Sequence, residues 1–327
     1  MTSAQPAGHQ PPPQPGGMAA GRVVSCELTL EVSEPAELAV HIVAAGGRVV
    51  RAEHLAVTLG GEALPAPAEL TAPHRGRLHV LRTGPGLLSV SYRAELAAAP
   101  PGAAGPVDHP DLPGSPSTPS PPSAPRQPPD PRRLPDLPRP NGPEPLPDLE
   151  QLTYLRASRY CPSDQVVGFA VAEFGALPAG RPQVEAITRW INSRVGYVPG
   201  ASNVHSSATD ALLTGQGVCR DFAHLGITLC RALQIPARFT AVYAPGLTPM
   251  DFHAVFEAFS DGAWWACDAT GRAPRQGMVR IATGRDAADT AFLNVLRGIV
   301  ALRSLEVTAT VTGALPLDDG SDPQQLG

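Results

Sequence analysis

The sequence predicts an α+β fold in which a small β-sandwich precedes a core of helices and strands. Three observations carry this. Short alternating apolar segments crowd residues 22–98. Proline dominates 99–148. Helical periodicity followed by strand patterns then fills 149–315. A chain of 327 residues with 43% hydrophobic content is long enough for about two packed domains.

The elements follow in order. Residues 1–21 are rich in Gly, Pro and Gln and read as disordered. Val24 to Val32 alternates as a half-buried strand does, and the segments 38–43, 54–59, 76–81 and 87–94 follow it. Gly46-Gly47, Gly60-Gly61 and Gly84-Pro85-Gly86 supply the turns of a sandwich spanning 22–98. Segment 99–148 cannot bury enough apolar surface to offset its ordering entropy, so it reads as a linker. Its PxxP spacings are what so much proline gives by chance.

In the second domain, Arg181 to Ile191 reads as a helix with Pro182 in its first turn. Ser207 and Asp210 form a capping-box pattern that opens a short helix. Gly215-Gln216-Gly217 stops that helix, and a longer one runs from Cys219 to Leu233. Strands follow at 239–243, 253–259 and 264–268, the last two joined by the hairpin signal Ser260-Asp261-Gly262-Ala263. A final alternating strand at 305–311 closes the domain, and 316–327 reads as a polar, frayed tail.

Composition excludes several classes of function. The net charge is −5 and no basic run exists, which argues against nucleic acid or an anionic membrane as partner. All 25 basic residues are Arg, a bias best explained by codon usage. Five cysteines without CxxC or zinc-type spacing give no metal site, and nothing implies a cofactor. The N-terminus has no apolar core of a signal peptide, and no stretch is long enough to span a membrane. Free thiols then suit a reducing, cytoplasmic location.

The chemistry centres on Cys219, within Gly217-Val218-Cys219-Arg220-Asp221-Phe222-Ala223-His224. A cysteine at a helix start faces exposed N–H groups and the positive dipole end, which favour thiolate. The same N–H groups can receive an oxyanion. His253 and Asp268 are tied to each other by hairpin arithmetic. If Asp261-Gly262 form a two-residue turn, Asp268 lies opposite Val255, on the same face as His253. The two then become diagonal neighbours about 7–8 Å apart at the backbone. An Asp on one imidazole nitrogen leaves the other for a thiol. Asp221 points away from Cys219 and reads as a structural or capping acid. Cys230 and Cys267 read as core. Gln216 and Asn203 are both open as oxyanion donors.

These residues, with Asp251-Phe252-His253-Ala254 and Trp265-Ala266-Cys267-Asp268-Ala269, resemble the three core motifs of the bacterial transglutaminase-like superfamily. Ser158-Arg159-Tyr160-Cys161 and Arg285-Asp286-Ala287-Ala288-Asp289 resemble one bacterial branch with a β-rich N-terminal domain. The resemblance implies a papain-like α+β core at 149–315 with Cys219 as nucleophile, His253 as base and Asp268 as orienting acid. It implies thiol-dependent acyl transfer or hydrolysis on a protein or peptide amide. The competing expectation is a non-catalytic binding module that keeps the fold. Two departures stand out. Val255 replaces the Trp of many relatives, which would alter the acyl-acceptor side of the cleft. The proline-rich insertion suggests loosened coupling between the domains.

Overall fold

The structure, a computed structural model, describes residues 21–97 and 148–326. The readings made for 1–20 and 98–147 lie outside the described residues. The first part contains β1 (Arg22–Val32), β2 (Ala36–Val40), β3 (Val50–Leu59), β4 (Glu62–Ala63), β5 (Ala68–Ala72), β6 (Gly76–Thr83) and β7 (Gly86–Leu96). The alternation read in β1 is real burial: Val24, Cys26, Leu28, Leu30 and Val32 point inward and Glu27 outward.

The second part begins with α1 (Leu149–Leu155), α2 (Val167–Phe174), α3 (Arg181–Arg194), the short β8 (Gly196–Tyr197), α4 (Ala208–Thr214) and β9 (Gln216–Gly217). It continues with α5 (Cys219–Ala232), β10 (Ala237–Tyr243), β11 (Phe252–Ser260), β12 (Ala263–Cys267), β13 (Val279–Gly284), β14 (Leu293–Arg297) and β15 (Val300–Val311). Strands β12, β11, β10 and β13 form one antiparallel sheet in that order. Helix α5 lies across β10 and β11. Every residue of α5 from Asp221 to Ala232 is buried. Such a helix is enclosed on all sides, and its polar side chains must find partners inside.

Arg231 shows how that is met. It is 1% exposed and donates to the carbonyls of Ala237, Arg156 and Arg285 and to Ser158 Oγ. One guanidinium thereby joins the 156–161 segment to the turn after β13. Asp286 Oδ2 accepts from Tyr160 N–H at 3.0 Å, and the Tyr160 ring stacks on His224 of α5. The two outlying motifs of the resemblance therefore meet over the central helix.

Gly226 explains how closely α5 sits on the sheet. A Cβ there would come within 2.4 Å of the Phe256 ring, which is fully buried on β11. Gly226→Ala should therefore destabilise the protein. Overpacking costs about 1–3 kcal/mol and outweighs the helix propensity gained, at most about 1 kcal/mol. Urea unfolding measures this, and a Phe256→Leu partner change should recover part of the loss.

Three expectations are corrected. The alternating strand at 305–311 does not close the second domain. It belongs to β15, which pairs with β1 (Cys26↔Val307), and β14 pairs with β2. The sandwich sheets run β15-β1-β7-β3-β4 and β14-β2-β6-β5. Alternation fixes which face of a strand is buried, not which strand lies beside it.

The tail is not frayed. Arg275 holds both carboxylate oxygens of Asp318 at 2.8 Å. Ala266 N–H donates to Gln324 O, Arg280 donates to Leu326 O, and Leu326 is buried. Residues 318–326 thus form a strap over the sheet face away from α5.

Coupling between the two parts is also tight. Tyr243, Val279, Ile281 and Ala282 share one apolar core with the sandwich. Tyr243 Oη donates to Ile42 O at 2.7 Å, and Ala45 N–H donates to Arg280 O at 2.8 Å. A long insertion does not loosen two surfaces that bury apolar area against each other. No helix among the described residues is long and apolar enough to cross a membrane.

Candidate active site

Cys219 is the first residue of α5, where backbone N–H groups have no partner within the helix. The local sequence builds this start. Asp221 is fully buried and accepts from Val218 N–H at 2.9 Å, Arg220 Nη2 at 3.1 Å and Ser202 Oγ. A Cβ at Gly217 would lie 2.7 Å from Asp221 Cβ, so only glycine allows this closure. Asp221 is therefore the capping acid expected, and it also ties the 198–207 loop to the start of α5. Tyr160 Oη holds the same loop through Val204 O at 2.7 Å.

The β11–β12 hairpin has the anticipated register. Ser260 faces Ala263 and Phe256 faces Cys267. His253 Nε2 and Asp268 Oδ2 lie 2.9 Å apart, both side chains almost wholly buried. The other oxygen of Asp268 is engaged by Thr270, whose N–H and hydroxyl donate at 2.9 and 2.7 Å. Thr270 thereby fixes the carboxylate rotamer and leaves Oδ2 for the imidazole. Asn192 of α3 supports the turn by donating to Ala269 O at 3.0 Å.

The electrostatics follow from this packing. Burial by itself lowers the pKa of His253. The Asp268 carboxylate and the Cys219 sulfur, each through charge and hydrogen bonding, outweigh burial and raise it well above an ordinary histidine. Asp268 is pushed up by burial, but the imidazolium and Thr270 bring it below the usual carboxylate value. His253 Nδ1 is buried and makes no hydrogen bond of normal geometry. It is the nitrogen left for the Cys219 sulfur, a contact that often tightens only when substrate binds.

Cys219 also differs from the other four cysteines, which are all buried while it is partly exposed. Burial pushes the thiols of Cys26, Cys161 and Cys267 up to about 12, and that of Cys230 well above the usual value. The reading of Cys230 and Cys267 as core residues matches their burial.

Val255 behaves differently from the expectation. It is 1% exposed and packs with Ala266, Met278 and Leu326 beneath the strap, so it does not face the cleft. Asn203 uses its amide oxygen to accept from His205 N–H. Two neighbours escaped sequence reasoning. Tyr197 belongs to no sequence motif, yet its phenol lies beside Cys219. Arg272 lies 4.4 Å over the Tyr197 ring. A cavity of about 730 Å³ lies between α3 and the strap, bounded by Asp268, Thr270, Arg272 and Arg275. Neither Cys219 nor His253 lines it, so it is separate from the thiol.

Residues 171–269 match the family described as the transglutaminase-like superfamily. The "Uncharacterized protein ML0607" of Mycobacterium leprae (strain TN) is 31% identical over 167 residues. The match covers 48% of this chain and spans 60% of that relative's length. A crystal structure of a candidate cysteine protease from Cytophaga hutchinsonii superposes with a TM-score of 0.71 at 29% identity, over 93% of this chain and 95% of that one. With its enclosed central helix, antiparallel sheet and N-terminal β-rich part, the chain carries a transglutaminase-like domain match at residues 171–269 within a papain-like α+β fold.

Proposed function

We propose that this chain is a thiol-dependent acyl transferase or hydrolase acting on a protein or peptide amide. Cys219 is its nucleophile, His253 its base and Asp268 the acid that orients the base. One observation carries the reading. The single partly exposed cysteine of five stands at a helix start, beside an imidazole whose other nitrogen is bonded to a buried carboxylate.

The steps balance without a cofactor. His253 Nδ1 holds the proton of the thiol, and Cys219 Sγ attacks the carbonyl carbon. The carbonyl π pair moves to oxygen, near the Cys219 N–H. As the tetrahedral species collapses, the C–N bond breaks and the imidazolium proton passes to the departing amine. Water or a second amine then attacks the thioester carbonyl while His253 takes its proton, and the C–S bond breaks to return the Cys219 sulfur with the imidazolium beside it. Water gives hydrolysis, and an amine gives cross-linking. The Cytophaga relative, named for protease activity, favours testing hydrolysis first.

Alkylation tests the reading. Iodoacetamide at pH 6–7 should label Cys219 alone. The other four thiols are buried and, with raised pKa values, protonated at that pH. Peptide mapping by mass spectrometry reads the site. Slow labelling spread evenly over several cysteines would instead support a binding module that keeps the fold without the chemistry.

A further inference from the structure

Arg272 stands where the two halves of the site meet, with donors to spare. Its backbone N–H donates to Thr270 Oγ1 at 3.3 Å, and that hydroxyl in turn holds Oδ1 of Asp268. Its guanidinium lies 4.4 Å over the Tyr197 ring. Tyr197 pairs with Gly217 across the β8–β9 bridge, and Gly217 and Val218 lead directly into Cys219. Arg272 is thus tied on one side to the acid that faces His253 and on the other to the turn before the thiol.

The side chain is held but not used up. Nη2 donates to Thr248 O at 2.6 Å, and the Tyr197 ring takes the planar face. Nε and Nη1 make no hydrogen bond among the described residues, and Arg272 has no carboxylate partner there. Its neighbours are engaged differently: Arg220 is bonded to Asp221 and Arg275 to Asp318. A guanidinium fixed in place with one edge open is shaped for a carboxylate, which can take two parallel N–H bonds from it. On a chain of net charge −5, an unengaged cation at this place favours a substrate group of opposite sign.

We propose that Arg272 is a specificity-determining residue, pairing with a substrate carboxylate within about two residues of the carbonyl that Cys219 attacks. The substrate class is then an acidic peptide, its carboxylate supplied by a side chain or by a C-terminus. This rests on Cys219 being the nucleophile. The reach follows from chain geometry. An extended peptide advances about 3.3–3.6 Å per residue, so one or two residues cross the width of the Tyr197 ring on which the guanidinium is stacked. The surroundings agree in sign. Arg272 also borders the cavity of about 730 Å³ between α3 and the strap, and Arg189 of α3 lines the same space without an ion pair among the described residues. Of the carboxylates lining it, Glu185, Asp268 and Asp318 are each paired with a cation of the chain, while Asp319 and Asp322 lie exposed on the strap. Charges in open water are screened, so those two weaken the field at Arg272 little.

The test alkylates the full chain at neutral pH with three matched probes. N-Iodoacetyl-glutamate α-amide carries a side-chain carboxylate, N-iodoacetyl-glutamine carries a C-terminal one, and N-iodoacetyl-glutamine α-amide carries neither. Each rate at Cys219 is divided by the iodoacetamide rate of the same protein, which removes any change in the thiol itself. Wild type should favour a carboxylate probe over the neutral one by roughly 10-fold or more. The probe favoured identifies the source of the carboxylate. Arg272→Gln should abolish that preference and Arg272→Glu should reverse it, with circular dichroism and Tm verifying that both variants fold.

Equal normalised rates for the three probes in wild type overturn the proposal. So does a carboxylate preference that persists in Arg272→Gln. A preference lost in Arg189→Gln but kept in Arg272→Gln would also overturn it, by moving the recognition to the α3 wall. If iodoacetamide leaves Cys219 of wild type unlabelled, the nucleophile reading fails first and the specificity assignment falls with it.

Discussion

With Cys219 as the proposed nucleophile, Cys219→Ala should abolish turnover, a fall on the order of 10⁶-fold. Asp268→Asn should cost about 10⁴-fold with the fold intact. The difference in size comes from the difference in role. Without Cys219 no thioester can form. Without the Asp268 charge, Asn can still reach His253 Nε2, but it no longer stabilises the imidazolium. Burial then acts on His253 unopposed by its strongest partner, and the imidazole pKa falls.

The sign of the pH effect follows. In the proposed mechanism the His253 imidazolium protonates the departing amine, and in wild type it persists to a pH well above that of an ordinary histidine. In Asp268→Asn it is lost at lower pH, so the basic limb of kcat/KM moves down. Peptide hydrolysis followed across pH 5–10 measures both the depth and the displacement. A basic limb that stays in place would mean that Asp268 positions the ring without setting its charge.

Much of this site was legible because it is built from local rules. The capping pattern at Asp221 and the glycine at 217 fix the start of α5, and both lie within four residues of Cys219. The two-residue hairpin at Asp261-Gly262 sets the parity of β11 and β12, which brings His253 and Asp268 onto one face. Tyr197 could not be read in this way. Its place depends on a parallel bridge to Gly217, and a two-residue bridge leaves no periodic trace in sequence. The fold divides along the same line. The strands of the sandwich alternate and were visible, but the return of β14 and β15 to complete its two sheets is a long-range pairing. The strap escaped because its anchors are backbone carbonyls and Asp318, held by arginines far away in sequence. A polar composition looks the same whether such groups are solvated or gripped.

The largest effect on stability should come from Glu257→Gln, at roughly 3–5 kcal/mol. Glu257 is 1% exposed on β11. It accepts from Arg238 Nε at 2.8 Å, Arg280 Nη1 and Nη2 at 2.7 and 2.8 Å, and Thr240 Oγ1 at 2.9 Å. Burial opposes its charge, but the two guanidiniums hold it far below the usual carboxylate value. A depressed carboxylate contributes stability that is fully present above its unfolded value of about 4.3 and is lost as pH falls through the folded value. The gap between wild type and variant in urea unfolding should therefore be widest at pH 7 and narrow steadily from about pH 4 to pH 2.

Arg280→Met added to Glu257→Gln should restore a substantial part of the loss, because the cost of the single variant is a buried cation left without its anion. The position of the cluster gives the effect its reach. Arg238 also bonds Glu150 of α1 and His74 of the sandwich, and Arg280 holds Leu326 of the strap. The sheet that carries His253 is thus joined to three other parts through one carboxylate. Glu257→Gln should consequently loosen sandwich and strap together in one transition. If the sandwich instead melted separately while alkylation of Cys219 was unchanged, the shared apolar core and not Glu257 would be the joint between them.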